Sequence, residues 1–183
     1  MRTPLARPLT YEEFSRMPDD GKRYELIEGE LVEMSSPLVR HQRLLRRLLR
    51  ALEAAVRGRG EVFLAPLDVV LSRMTALQPD LLVVLDERRS IVQDWIRGAP
   101  DLVVEILSRS TAAHDRVGKL PLYARYGVRE CWLVDDERQA VEVYRLAAGA
   151  LEYYLAATFR PGDRATTPLI PDLALDLAAL LAD

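Results

Sequence analysis

The chain has 183 residues, 49% of them hydrophobic, which is the size of one domain and enough to bury a substantial core. Its formal net charge of −3 and its pI near 5.5 argue against a protein that coats nucleic acid through bulk positive charge, so any nucleic-acid contact is expected to be local. No run approaches the ~20 apolar residues of a transmembrane helix, and the N-terminus lacks an apolar signal core, so we expect a cytoplasmic protein.

The first part of the chain predicts a short helix, a hairpin and one long helix. Thr10 and Glu13 have the form of a capping box, which predicts a helix over about 11–17. Apolar residues on both sides of Glu28-Gly29 predict a β-hairpin within about 24–34. From about 41 to 56, leucines recur at helical spacing opposite a row of arginines, which indicates a long amphipathic helix.

The remainder predicts a sheet with a second helical region. Strands are expected at about 61–71, 80–85 and 101–107, and the last two are almost continuously apolar, as in strands that are covered on both faces. A helical region follows at about 111–126. The chain then predicts a buried strand at about 131–134, outer strands at about 141–146 and 151–156, and a closing helix at about 172–181. With no internal repeat or linker in the sequence, we expect one mixed α/β domain over 1–183.

Two acidic residues stand near the centre of the predicted sheet. Glu105 lies inside an apolar strand, where an uncompensated carboxylate is costly to bury, and Asp80 opens the neighbouring strand directly after Pro79. Two strands thus bring one carboxylate each toward one point, which suits a hard divalent cation such as Mg²⁺. Two structural alternatives stay open: turn amides that satisfy Asp80, and a buried ion pair between Glu105 and an arginine.

Several segments resemble known nucleases. Gln78-Pro79-Asp80, a spacer of 24 residues to Glu105, and the segment 98–107 look like the PD-(D/E)XK nuclease core. The chain resembles the Uma-two family of restriction endonucleases more closely, and this resemblance covers almost the whole chain. The residues that carry this closer resemblance are 24–31, Asp115 with Lys119 and Tyr123, and 127–135.

The resemblance implies a restriction-endonuclease-like αβββαβ core with a mixed central sheet, an N-terminal β-hairpin and extra C-terminal strands. It implies an endonuclease that uses Mg²⁺, with Mn²⁺ as a substitute, to hydrolyse DNA phosphodiester bonds. Asp80, Glu105 and Lys119 would form the catalytic centre, with Asp80, Glu105 and the backbone carbonyl of Ile106 as metal ligands. The superfamily lysine two residues beyond Glu105 is replaced by Leu107, and in the resembling family a lysine from the following helix takes its place.

Lys119 matches that lysine, and it is one of only two lysines among 25 basic residues. A lysine is a compact donor to water or phosphate, which a forked arginine does not easily copy. The alternative is a solvated helix lysine, and Pro121 would disrupt a continuous helix close to it.

Three further polar residues are weaker candidates for the same site. The resemblance makes Glu25 a further acidic contributor, although alternation along its strand favours a solvent-facing position. His41 opens the long helix and could point toward the carboxylates, whereas a helix cap or a surface position is the alternative. Gln78 belongs to the nuclease-like tripeptide.

The arginines of the long helix are candidate phosphate contacts, with Arg43, Arg47 and Arg50 as the predicted nucleic-acid-binding residues. A solvated polar helix face explains the same pattern. We expect DNA as the substrate, with RNA left open, and a homodimer or higher homo-oligomer, because cutting both strands usually needs two sites. The competing hypotheses are a non-catalytic interaction or DNA-binding module with this fold and a structural oligomer assembled through its β-ribbon and edge strands.

Overall fold

The computed structural model describes residues 2–3, 7–109 and 111–182 of the chain. Over these residues the chain is a mixed α/β structure with two six-stranded sheets and a separate hairpin. A 3-10 helix (Asp86–Ile91) and a π-helix (His114–Lys119) supplement the regular elements. In chain order, the strands and α-helices are β1 (Arg2–Thr3), α1 (Tyr11–Phe14), β2 (Arg23–Ile27), β3 (Glu30–Met34), α2 (Val39–Val56), β4 (Gly60–Leu64), β5 (Val69–Ser72), β6 (Thr75–Leu77), β7 (Leu81–Leu85), β8 (Ile96–Arg97), β9 (Leu102–Ile106), α3 (Leu120–Arg125), β10 (Glu130–Asp135), β11 (Ala140–Leu146), β12 (Tyr153–Phe159), β13 (Arg164–Thr167), β14 (Ile170–Asp176) and α4 (Leu177–Leu181).

The central sheet has the strand order β12-β11-β10-β9-β7-β4. Strand β9 runs parallel to β10 and antiparallel to β7, so the sheet is mixed as predicted. Every residue of β9 and β10 is buried, because their apolar side chains are covered on both faces. Helix α2 packs Leu44, Leu48 and Leu52 against this sheet. The order α2-β4-β7-β9-α3-β10 is the expected αβββαβ core, so the restriction-endonuclease-like fold class is confirmed.

The second sheet has the order β1-β3-β2-β6-β5-β8 and contains the predicted N-terminal hairpin. Strand β2 pairs with β6 through Leu26 and Ala76. This pairing brings β2 beside the segment that leads from β6 into β7 of the central sheet. As a result, the buried side chain of Glu25 lies next to Gln78, whose backbone N–H donates to Glu25 Oε1 at 2.8 Å.

The single strand expected at about 61–71 is wrong. The structure has β4 in the central sheet and β5 in the second sheet, with 65–68 between them. Pro66 lacks the N–H that a continuous ladder would need, and the chain changes sheets there. Strand β6, which pairs with β5, was not predicted because its three residues are too few to show a pattern.

Two predicted helices also differ in the structure. The closing helix was expected from 172, but β14 continues to Asp176, because buried Leu173 and Leu175 alternate with exposed neighbours. Asp176 then caps the short helix α4 by accepting from the N–H groups of Ala178 and Ala179. The helical region at 111–126 contains the π-helix and then α3, which follows it directly and has Pro121 as its second residue.

The remaining elements differ in their ends. Helix α1 stops at Phe14 rather than near 17, and the outer strand β12 runs from Tyr153 to Phe159 rather than over 151–156. The hairpin of β13 and β14 was not predicted as such. Over the described residues, the structure has no helix that is long and apolar enough to cross a membrane.

Candidate active site

Four carboxylates from different elements converge at one end of the central sheet. Glu25 comes from β2, Asp80 from the segment before β7, Glu105 from β9 and Asp115 from the π-helix. A cavity of about 510 Å³ opens beside them and is lined by Asp80, Glu105, Asp115 and Lys119, among other residues. The two predicted metal-binding carboxylates therefore share one solvent-accessible space.

Lys119 is surrounded by carboxylates. Its Nζ lies 3.0 Å from Glu25 Oε1, 3.2 Å from Glu105 Oε1 and 3.4 Å from Asp115 Oδ1. We call these four residues the carboxylate–lysine cluster. An ammonium group has three N–H donors, and here three carboxylates face them. Only 2% of the Lys119 side chain is exposed, so the alternative of a solvated helix lysine is wrong.

Glu105 is held on one oxygen. Its Oε1 accepts from Lys119 Nζ at 3.2 Å and from the Tyr123 hydroxyl at 2.6 Å. Burial raises the pKa of Glu105 well above its usual range; the charge of Lys119 opposes this rise, and the charges of Asp115 and Asp80 add to it. The ion-pair partner of Glu105 is thus a lysine rather than the arginine considered as a structural alternative.

Glu25 is fully buried, which corrects the favoured expectation that it faces solvent. Burial raises its pKa, but the charge of Lys119 and the hydrogen bonds to the carboxylate outweigh burial and bring the pKa below its usual value. Its second oxygen, Oε2, lies 3.5 Å from His114 Nε2. Neither of these two atoms has a hydrogen-bond partner among the described residues.

Asp80 lies between the sheet and the first long helix. Its Oδ2 accepts from the backbone N–H of Ile106 at 2.7 Å, across the gap between β7 and β9. Its Oδ1 lies 3.1 Å from Nε2 of His41, and 20% of the Asp80 side chain remains exposed. The amide that satisfies Asp80 therefore belongs to a neighbouring strand rather than to a turn. His41 is directed at a carboxylate and is not the helix cap, because the N-cap of α2 is Leu38.

Gln78 connects the cluster to residues that the sequence did not single out. Besides its backbone bond to Glu25, its side-chain Nε2 donates to Asp68 Oδ1 at 2.9 Å. Asp68 Oδ2 in turn accepts from the Tyr11 hydroxyl. Asp68 directly precedes β5 and belongs to no motif, so only the structure reveals its contacts. Tyr123 had a recognisable signal, because it lies four residues after Lys119 on the same helical face.

The donor set fits a hard divalent cation. Four carboxylates converge here, and the single buried ammonium of Lys119 offsets only part of their charge. In the described ranges, no three His, Cys, Asp or Glu side chains are arranged to hold a metal ion together. Mg²⁺ is commonly held by one or two carboxylates while it keeps several waters. Asp80 and Glu105, with Ile106 also lining the cavity, match that smaller set.

The three helix arginines lie elsewhere. Arg43, Arg47 and Arg50 are not part of the lining of this cavity, as far as the described residues define it. One Arg47 nitrogen, Nη1, donates to the backbone carbonyls of Leu180 and Ala182, so this side chain ties α2 to the C-terminal segment. Arg43 and Arg50 are exposed on α2.

Comparison with known proteins identifies a family and similar solved structures. Residues 11–178 match the Uma2 (Uma-two) family, which is described as "Putative restriction endonuclease". The crystal structure of a "putative nuclease belonging to DUF820" from Anabaena variabilis ATCC 29413 is similar over 96% of this chain and 98% of that chain, with a TM-score of 0.79 and 23% sequence identity. At that identity the likeness shows the fold. No curated protein matches the chain.

Proposed function

Since this chain belongs to the Uma2 family of putative restriction endonucleases, we propose that it is a Mg²⁺-dependent endonuclease that hydrolyses DNA phosphodiester bonds. One observation carries the proposal: Asp80, directly before β7, and Glu105, on the adjacent strand β9, line the same cavity. The backbone N–H of Ile106 on β9 donates to Asp80 and so links the two positions. The family supports nuclease activity in general, and the carboxylate pair supports the metal-dependent form of it.

Asp80, Glu105 and the carbonyl of Ile106 would hold the cation. A cation bound there lowers the pKa of a water ligand and stabilises negative charge on the phosphate. The protein fixes the two carboxylates independently of the cation. The Ile106 N–H and His41 orient Asp80, while Lys119 and Tyr123 both hold Oε1 of Glu105. Such supporting contacts are what keep ligands in place for catalysis.

Lys119 acts in this proposal through Glu105. Its three N–H donors face three carboxylates, so its expected role is to position Glu105 and to favour the ionised form of that carboxylate. The sequence predicted a lysine that contacts water directly. The burial of Lys119 favours the positioning role over direct contact.

A plasmid-cleavage assay tests the proposal. Supercoiled DNA would be incubated with the wild type and with Asp80→Asn and Glu105→Gln, in Mg²⁺, Mn²⁺ or EDTA. We expect nicking and linearisation by the wild type only when a divalent cation is present, and no cutting by either variant. Glu53→Gln is the matched control, because Glu53 is an exposed carboxylate on α2 outside the cavity lining. Equal cutting by the wild type and both site variants would sink the proposal.

A non-catalytic DNA-binding or interaction module is the second candidate. Two features favour it: Leu107 occupies the usual position of the lysine, and Lys119 is engaged by carboxylates. That candidate predicts DNA or protein binding without cleavage and without binding of Mg²⁺.

For the nuclease, we also propose a homodimer or higher homo-oligomer, because cutting two strands usually needs two sites; sedimentation equilibrium would test it.

A further inference from the structure

Three arginines line the cavity that contains Asp80 and Glu105. Arg23 opens β2, Arg40 lies in the first turn of α2, and Arg109 follows β9. All three are exposed, although they come from separate parts of the chain. We call them the arginine rim.

The rim offsets an electrostatic obstacle. DNA phosphates that approach Asp80 and Glu105 meet a region rich in carboxylates, in a chain whose formal net charge is already −3. Like charges at such short range repel, so a phosphate backbone needs local positive charge to enter. The guanidinium groups of the rim belong to the lining of the cavity itself, so they place positive charge where a phosphate would enter.

Two rim arginines already bind oxyanions of the protein. Arg40 pairs with Asp136 through Nε and Oδ2, and Arg109 Nε lies 2.5 Å from Glu137 Oε1. Both acids line the same cavity, on the turn between β10 and β11. A carboxylate and a phosphate offer a guanidinium the same kind of paired oxygen acceptors. The two pairs therefore occupy positions that phosphate oxygens of a substrate would fill.

The Arg109–Glu137 pair is open to exchange, because both side chains are exposed, at 87% and 52%. An exposed ion pair contributes little stability since water competes for both partners, so replacing Glu137 with a phosphate requires little energy. Arg40 is 55% exposed but its partner Asp136 only 10%, so Arg40 offers its exposed part to a phosphate while Asp136 stays at the turn. The buried Lys119 contacts are the opposite case, since 2% of that side chain is exposed.

We propose that the arginine rim, Arg23, Arg40 and Arg109, binds backbone phosphates of DNA, and that Glu137 occupies Arg109 until a phosphate replaces it. The inference rests on the proposed function for its ligand, DNA. It differs from the sequence-based assignment, which selected Arg43, Arg47 and Arg50 on α2.

DNA binding, measured without cutting, tests the rim. The full chain would be titrated into a fluorescent DNA duplex and followed by anisotropy, in EDTA and again in Ca²⁺. We expect Arg40→Gln and Arg109→Gln each to raise Kd about tenfold. Each should also reduce the slope of log Kd against log salt by about one, as for one lost phosphate contact. Glu137→Gln should act in the opposite direction and lower Kd about threefold, because Arg109 loses its competitor.

Arg16→Gln and Glu12→Gln are the matched controls. These residues form an exposed ion pair of 2.8 Å on and beside α1, and neither lines the cavity. Both should leave Kd unchanged. Thermal unfolding of every variant, followed by circular dichroism, separates lost binding from lost folding, and Glu137→Gln gives a gain that misfolding would not produce.

The outcomes separate the rim from the nuclease proposal. If the wild type cuts DNA but the rim variants bind DNA like the wild type, phosphate binding by the rim is overturned and the nuclease proposal stands. If rim variants weaken binding while the wild type cuts nothing, the rim stands and the nuclease fails. An absence of DNA binding by the wild type in both buffers overturns the rim. A larger loss from Arg43→Gln or Arg50→Gln than from the rim variants also overturns it.

Discussion

The carboxylate–lysine cluster and the arginine rim use the same kinds of charged group in opposite surroundings. In the cluster, Glu25 and Lys119 are 0% and 2% exposed, whereas Arg109 in the rim is 87% exposed. Burial makes each contact of the cluster costly to break, because removing one partner leaves an uncompensated charge away from water. Exposure of both partners makes the Arg109–Glu137 pair of the rim weak and exchangeable. The cluster is therefore suited to hold its side chains in one geometry, while the rim is suited to change partners.

Removing the buried ammonium should produce the largest effect. Lys119→Met leaves Glu25, Glu105 and Asp115 facing one another without a cation, and we expect the free energy of unfolding to fall by about 3–5 kcal/mol. Urea denaturation followed by circular dichroism measures it. Lys22→Met is the control, because Lys22 forms an exposed ion pair with Glu33 and its loss should change stability very little. Similar losses from both variants would remove the distinction between buried and exposed pairs.

The pH dependence of stability, measured in EDTA, should differ between Glu105 and Glu25 of the cluster. The pKa of Glu105 is raised mainly by burial, so its contribution is complete below the unfolded-state pKa of about 4.3 and is lost as pH rises through the folded-state pKa. The unfolding free energy of the wild type minus that of Glu105→Gln should therefore fall as pH rises from about 4 to 7.

Glu25→Gln is the matched comparison for that slope. The pKa of Glu25 is lowered, because Lys119 and the hydrogen bonds to the carboxylate outweigh burial. Its contribution is present above the unfolded-state pKa and is lost as pH falls through the folded-state pKa, so this difference should grow with rising pH. Slopes of the same sign for the two glutamates would contradict the assigned directions.

Tyr123→Phe should have an intermediate effect. It removes the buried 2.6 Å hydrogen bond to Glu105 Oε1 and leaves the ring in place. We expect the unfolding free energy to fall by about 2 kcal/mol, because the buried Oε1 of Glu105 loses one of its two donors. DNA cleavage should fall at saturating Mg²⁺ as well, because Glu105 is held less firmly. Unchanged stability and unchanged cleavage would show that the bond does not position Glu105.

Arg47→Gln should have the smallest effect, and on stability rather than on DNA binding. Its guanidinium donates to the carbonyls of Leu180 and Ala182, so we expect the unfolding free energy to fall by about 1 kcal/mol. The anisotropy assay should give a Kd close to that of the wild type. A large rise in Kd with unchanged stability would return Arg47 to the phosphate-binding set.

The sequence predicted the centre of the fold because strands that are buried on both faces have long apolar runs. The apolar runs of β7, β9 and β10 identified three adjacent strands of the central sheet. Asp80, directly before one of these runs, and Glu105, inside another, stood out as carboxylates. A charged residue inside a fully buried strand is informative because it needs compensation. The structure provides that compensation for Glu105 through Lys119 and Tyr123.

The second sheet and the surroundings of the site were harder to predict. Strands β5, β6 and β8 have four, three and two residues, which is too short for a periodic pattern, so the change of sheet after β4 was missed. The alternation around Glu25 indicated solvent, and only the pairing of β2 with β6 explains its burial. Likewise, the arginine rim combines residues that lie far apart in sequence, whereas the arginines of α2 form an obvious local pattern.

Cation binding by Asp80 and Glu105 can be measured without any DNA substrate. Isothermal titration calorimetry with Mn²⁺ and with Mg²⁺ would compare the wild type with Asp80→Asn and Glu105→Gln, and with Glu53→Gln as the control. The account predicts one cation site in the wild type and in the control, lost in both site variants while their thermal unfolding stays cooperative. No heat of binding in the wild type, or binding that survives in both site variants, would contradict the claim that Asp80 and Glu105 form a metal-dependent centre.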